Sequence, residues 1–303
     1  MEGAKIVKNK IISILLIISI LFVLTACGEK QNEKLKIVTT IFPQYDFAKQ
    51  ITGDNAEVTL LLTPGSESHT YEPTASDIAK IQQADLFIYN GGESEVWVNK
   101  ILDSYGKNKE NTLRLMDYVT PLMEDDEDEY DEHIFTSLKN SAILLDKMNE
   151  KICNVDSKNS EIYISNTEKY KLEISQLDDD FEDMVSRAKR NIIIFGDRFP
   201  FKYFANDYKL DYYAAFSGCG SETEASPATI SDLINKVQEN DVPIIFHIEF
   251  SNESIANKIA KATNAKIALL HSCHNISKED LENNVTYLDL MKKNYNSLSE
   301  ALN

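Results

Sequence analysis

The chain has 303 residues, and 49 Asp and Glu against 31 Lys and Arg leave a net charge of −18. That excess repels nucleic acid and anionic lipid, which excludes polyanion binding and favours cationic partners. The length permits two domains of ordinary size, each with its own core.

Lys5, Lys8 and Lys10 precede an apolar run at 11–24 broken only by Ser13 and Ser19. A basic stretch followed by an apolar one is the layout of an export signal. A membrane-spanning helix needs about 20 apolar residues, and this run is shorter. It ends in Leu24-Thr25-Ala26-Cys27-Gly28, which resembles the lipobox of bacterial lipoproteins. Residues 1–26 are therefore expected to be a signal peptide, with Cys27 lipidated and anchored to the cell membrane outside the cytoplasm. Cleavage removes three lysines and Glu2, moving the net charge to −20.

Residues 27–34 are polar and read as a lipidated tether. A first α/β lobe is expected over 35–157. Its strands fall at 35–41, 56–62, 85–90 and 112–116, with helices at 43–52, 74–83 and 93–104. Strands spaced by helices imply parallel sheets. The run Glu124 to Glu132 holds eight carboxylates in nine residues. Like charges at that density predict a solvated loop that gathers cations weakly. The stretch 136–189 lacks Pro and Gly and reads as helical. Within it Tyr163, Tyr170, Ile174, Leu177, Phe181 and Val185 recur at helical spacing. A helix over 158–190 would act as a spine between lobes and limit their closure. The second lobe, 191–303, repeats the rhythm, with strands at 191–195, 211–216, 242–248 and 266–270 and helices at 200–207, 227–239 and 253–264. The fold class is α/β, two parallel-sheet lobes joined by a long helix.

There are only five histidines. His69, His133, His271 and His274 fall in loops after strands or before helices, and Asp197 follows a strand. Ligands of open parallel sheets bind beyond the carboxyl ends of strands. His247, inside an apolar strand, reads as a buried structural residue. Imidazoles favour Zn, Cu, Fe or Ni over Ca or Mg, and three or four of them suit tetrahedral zinc. Cys153, Cys219 and Cys273 remain after Cys27, in a compartment where disulfides persist. Cys219 and Cys273 both lie in post-strand loops of the second lobe and are expected to pair near the site, with thiolate ligation by Cys273 as the alternative. Cys153 reads as a small buried hydrophobe.

The segment Val38-Thr39-Thr40-Ile41-Phe42-Pro43-Gln44-Tyr45 resembles the opening strand of the zinc-type solute-binding proteins of bacterial ABC importers. Pro64-Gly65-Ser66-Glu67-Ser68-His69-Thr70-Tyr71-Glu72-Pro73 is similar to that family's signature loop, and Asp131-Glu132-His133-Ile134-Phe135 to its second histidine motif. The resemblance implies the metal-binding class of periplasmic-binding-protein-like folds and makes His69 and His133 the first two ligands. It also implies Zn2+ as transported ligand, with Mn2+ less favoured, and delivery to an ABC permease by a monomer that catalyses nothing.

Two departures bear on the remaining ligands. The family's third histidine opens a His-x-x-Phe-x-Tyr segment; aligning Phe201 and Tyr203 puts Arg198 there, and a guanidinium cannot ligate a metal. Asp197 is a substitute. Where the family carries an acidic ligand near its last strand, this chain has His271-Ser272-Cys273-His274. The expected shell is therefore His69, His133, His271 and His274, provided the turn curls tightly enough. A surface metallohydrolase, with Glu224 or Glu249 as base, and a metal-independent adhesin are the rival readings.

Overall fold

Strands buried on both faces must be apolar along their length, not on alternate residues. Runs such as Leu86–Tyr89, residues 192–195 and residues 244–246 meet that condition and lie in the inner strands of two sheets. The computed structural model describes residues 34–105, 109–124, 129–216, 218 and 225–303. The expected signal peptide, Cys27, residues 125–128, Cys219 and Glu224 lie outside the described residues.

In the first half β1 (Leu35–Thr39), α1 (Phe42–Thr52), β2 (Ala56–Leu60), α2 (Ala75–Gln83), β3 (Leu86–Tyr89), α3 (Val96–Tyr105) and β4 (Thr112–Arg114) alternate. Two helices follow, α4 (Leu138–Val155) and α5 (Ser160–Ser186). The second half comprises β5 (Ile192–Arg198), α6 (Lys202–Tyr208), β6 (Asp211–Phe216), α7 (Pro227–Glu239), β7 (Ile244–His247), α8 (Ser254–Thr263) and β8 (Lys266–Leu269). The chain closes with α9 (Lys278–Glu282) and α10 (Tyr287–Leu302). Each half builds a four-stranded parallel sheet, in the orders β2-β1-β3-β4 and β6-β5-β7-β8. No described helix is long and apolar enough to cross a membrane.

The helical stretch between the sheets is interrupted at Asp156, whose backbone leaves the helical region while its carboxylate accepts from Asn159 Nδ2 and Tyr163 Oη. The spine is thus α5 alone, 27 residues, or roughly 40 Å at 1.5 Å per residue. It buries Tyr163, Thr167, Tyr170, Ile174, Leu177, Phe181 and Met184; Met184 takes the inward place expected of Val185. This row joins residues of both sheets, among them Ile37, Ile88, Phe195 and Phe246, in one continuous core, and smaller clusters cover the outer sheet faces. Residues 35–303 form one compact unit. The buried carboxylate of Asp46 on α1 ties the assembly together, accepting from Tyr170 Oη at 2.8 Å and Tyr287 N at 3.2 Å.

Strand β5 runs three residues beyond its expected end at Phe195, so Asp197 lies within it and not in a following loop. Gly196 permits this. A Cβ there would stand 2.4 Å from the Cα of Ala256 on α8, so only a glycine lets the helix pack onto the strand at that point.

Candidate metal centre

The carboxyl ends of both sheets open onto the same place, where three histidine rings meet. His69 comes from the loop after β2, His133 from the segment after β4, and His274 from the loop after β8. Their ring centroids lie 5.6, 5.2 and 5.3 Å apart, close to an equilateral triangle. One ligand atom from each falls within 4.8 Å of the others. Two halves of the chain therefore contribute to one cluster.

Each ring has a polar group at its Nδ1, hydrogen-bonded for His133 and His274 and in charge contact for His69. His69 Nδ1 lies 3.3 Å from Glu132 Oε1, and His133 Nδ1 lies 3.0 Å from Asp131 Oδ1. Ser68 Oγ is 3.2 Å from His274 Nδ1. Carboxylate or hydroxyl partners on one ring nitrogen fix the tautomer and aim the other nitrogen at a metal. The partners are themselves held. Glu132 Oε2 accepts from Ser94 N, and Asn90 Nδ2 donates to the Glu132 carbonyl. Tyr203 Oη donates to the Asp131 carbonyl from the other lobe. Gly92 makes room for Glu132, since a Cβ there would stand 1.9 Å from its Oε2. The two loops are stitched across the lobes by Gly65 N to Ile276 O and by Asn275 Nδ2 to the Thr63 and Ser66 carbonyls.

Burial disfavours the charged form of His69 and His274 and holds both below the ordinary imidazole range, with His133 and Arg198 adding repulsion. Uncharged imidazole is the form that binds metal. The rings border a cavity of about 30 Å³ lined also by Glu67, Arg198, Glu249, Ser272 and Asn275.

Several expected participants stand elsewhere. His271 does not join the cluster. Asn294 clamps its backbone at both N–H and C=O, and its Nδ1 accepts from Cys273 N at 2.9 Å. The His-x-x-His turn does curl, through Cys273 at φ +66°, but it curls so that the first ring faces its own backbone. Asp197 is likewise engaged, its two oxygens accepting from Arg198 N and Ile248 N. Cys273 is a free, fully buried thiol within the main core, its Sγ facing the His271 carbonyl at 3.6 Å. Its expected partner, Cys219, lies outside the described residues. Cys153 is half-buried on α4. His247 ends β7 half-buried, its Nδ1 against the Ile248 carbonyl. The ends of the acidic run are not solvated as expected: Glu124, Asp131 and Glu132 are 6%, 0% and 1% exposed. Their charges have partners in Lys202, His133 and His69. Glu124 and Asp131 also come within ligand distance of His133.

Glu132, Asp131 and Ser68 are not among the expected site residues, although each lies within two residues of a candidate ligand histidine. A carboxylate beside a ligand histidine was the available signal.

A model of the zinc-uptake complex component A periplasmic family matches residues 37–301. The zinc-binding lipoprotein AdcA of Streptococcus pneumoniae is 30% identical over 97% of this chain, which spans 61% of AdcA's length. The high-affinity zinc uptake system protein ZnuA of Bacillus subtilis is 30% identical over 95% of this chain and 97% of its own. The crystal structure of the Zn(II)-bound ZnuA-like domain of Streptococcus pneumoniae AdcA is similar with a TM-score of 0.76 at 31% identity, covering 89% of this chain and 99% of that domain.

Proposed function

The chain belongs to the zinc-uptake component A family, and from that membership we propose that it captures zinc outside the cytoplasm and delivers it to an ABC-type permease. The observation that carries the reading is the triangle of His69, His133 and His274 contributed by both lobes. We assign these three as the metal ligands, each binding through Nε2 while Nδ1 faces Glu132, Asp131 or Ser68.

Nitrogen donors select zinc over manganese, which prefers oxygen. Depressed imidazole basicity means that little proton competition remains near neutral pH, so capture does not wait on deprotonation. The carboxylates on His69 and His133 raise the donor strength of those rings. The continuous core through α5 supports only small movements of one lobe against the other during loading and release. Lipidated Cys27 would keep the domain beside its permease and raise its effective concentration there.

Turnover has little support in the site. Glu249, the described candidate for a hydrolytic base, has its carboxylate bound to Ser272 N–H and O–H. The test is to expose purified protein, residues 27–303, to equimolar mixed divalent metals and quantify what it retains after desalting. One equivalent of zinc is expected; retention of none, or of manganese in preference, would refute the reading.

A further inference from the structure

A tetrahedral zinc ion takes four donors, and the three histidines supply three, all neutral. The rest of the cavity wall holds Glu67, Arg198, Glu249, Ser272 and Asn275. Both carboxylates there are engaged: Glu249 by Ser272, and Glu67 by Arg198 Nη2 at 2.8 Å. Asn275 spends its amide on two carbonyls of the facing loop. Arg198 differs. Among the described residues its guanidinium makes only the Glu67 bond, although it carries five donors in a fixed fork. A permanently charged fork beside three neutral ligands and a dication is a place for negative charge.

We propose that the site takes its metal together with one small monovalent anion of chloride size, which serves as fourth ligand and is held by Arg198. This rests on the zinc-capture reading above. The cavity of about 30 Å³ exceeds the roughly 10–15 Å³ that admits one water molecule, so it has room for a compact anion. The acidic surface does not oppose it strongly, because exposed charges more than about 8 Å away are screened at physiological salt. Arg198 is thereby a specificity-determining residue at a position where a fourth imidazole would make the anion unnecessary.

The probe is Co(II), titrated into the intact mature protein with chloride replaced by perchlorate at constant ionic strength. Chloride is expected to shift the visible ligand-field bands and tighten Co(II) binding about tenfold, the scale of one charge-assisted hydrogen bond. Arg198→Met should bind Co(II) without chloride dependence, and Arg198→His should bind it more tightly, also without dependence. Glu67→Gln should keep the dependence. Wild-type bands indifferent to chloride, full dependence in Arg198→Met, or its loss in Glu67→Gln would each overturn the proposal. Failure of folded wild type to bind Co(II) at all would instead defeat the capture reading and this proposal with it.

Discussion

Replacing His274 and His271 separately by alanine distinguishes two residues that the sequence places three apart. His274 contributes a ring to the cluster, with centroids 5.2 and 5.3 Å from His69 and His133. Structural zinc sites bind with about 10–16 kcal/mol, so one donor of four carries roughly 2.5–4 kcal/mol, and its loss weakens affinity by about two to three powers of ten. His271→Ala removes instead the acceptor for Cys273 N. A buried amide left without a partner costs about 1–3 kcal/mol of folding stability, while zinc affinity should change only a few-fold. Competition against a chromogenic chelator measures affinity, and urea unfolding of the metal-free protein measures stability. Expected are a large affinity loss in His274→Ala, and in His271→Ala a lower midpoint with near-normal affinity. Equal affinity losses in both variants would refute the assignment and return His271 to the shell.

Glu132→Gln keeps the shape and removes the charge beside His69 Nδ1; the same competition assay should show zinc affinity falling about 10–100-fold. Gly92→Ala drives a Cβ into Glu132, and overpacking of this kind costs about 1–3 kcal/mol. Its unfolding midpoint should drop together with its zinc affinity; unchanged values in both would show that Glu132 can move aside. Burial lowers the folded-state basicity of His69 and His274, so below about pH 6.5 the unfolded chain binds protons that the folded chain refuses. Metal-free stability should therefore rise with pH up to about 6.5 and level off above it, as thermal unfolding across buffers would record. A flat profile through that window would contradict the burial of these rings in solution.

The architecture was legible because it rests on local patterns. Runs such as Leu86–Tyr89 and Ile192–Phe195 are apolar throughout, as central parallel strands require, and the spacing from Tyr163 to Phe181 marks the buried face of the spine. The break at Asp156 was harder to see, since neither Pro nor Gly announces it and the interruption depends on a carboxylate finding Asn159 and Tyr163. The acidic run misled for a related reason. Its charge density predicts solvation, yet Asp131 and Glu132 are drawn inward by histidines, one of them more than sixty residues earlier.

His69 and His133 as candidate ligands, and the presence of a guanidinium at Arg198 where an imidazole would complete the shell, were determined by the sequence alone, because side-chain chemistry travels with the residue. Which of His271 and His274 faces the cavity was decided only by tertiary structure. Asn294, 23 residues away, clamps the His271 backbone, Glu249 holds Ser272 between them, and Ser68 from the other lobe meets the His274 ring. Ring direction depends on contacts between distant segments, and no local spacing encodes it.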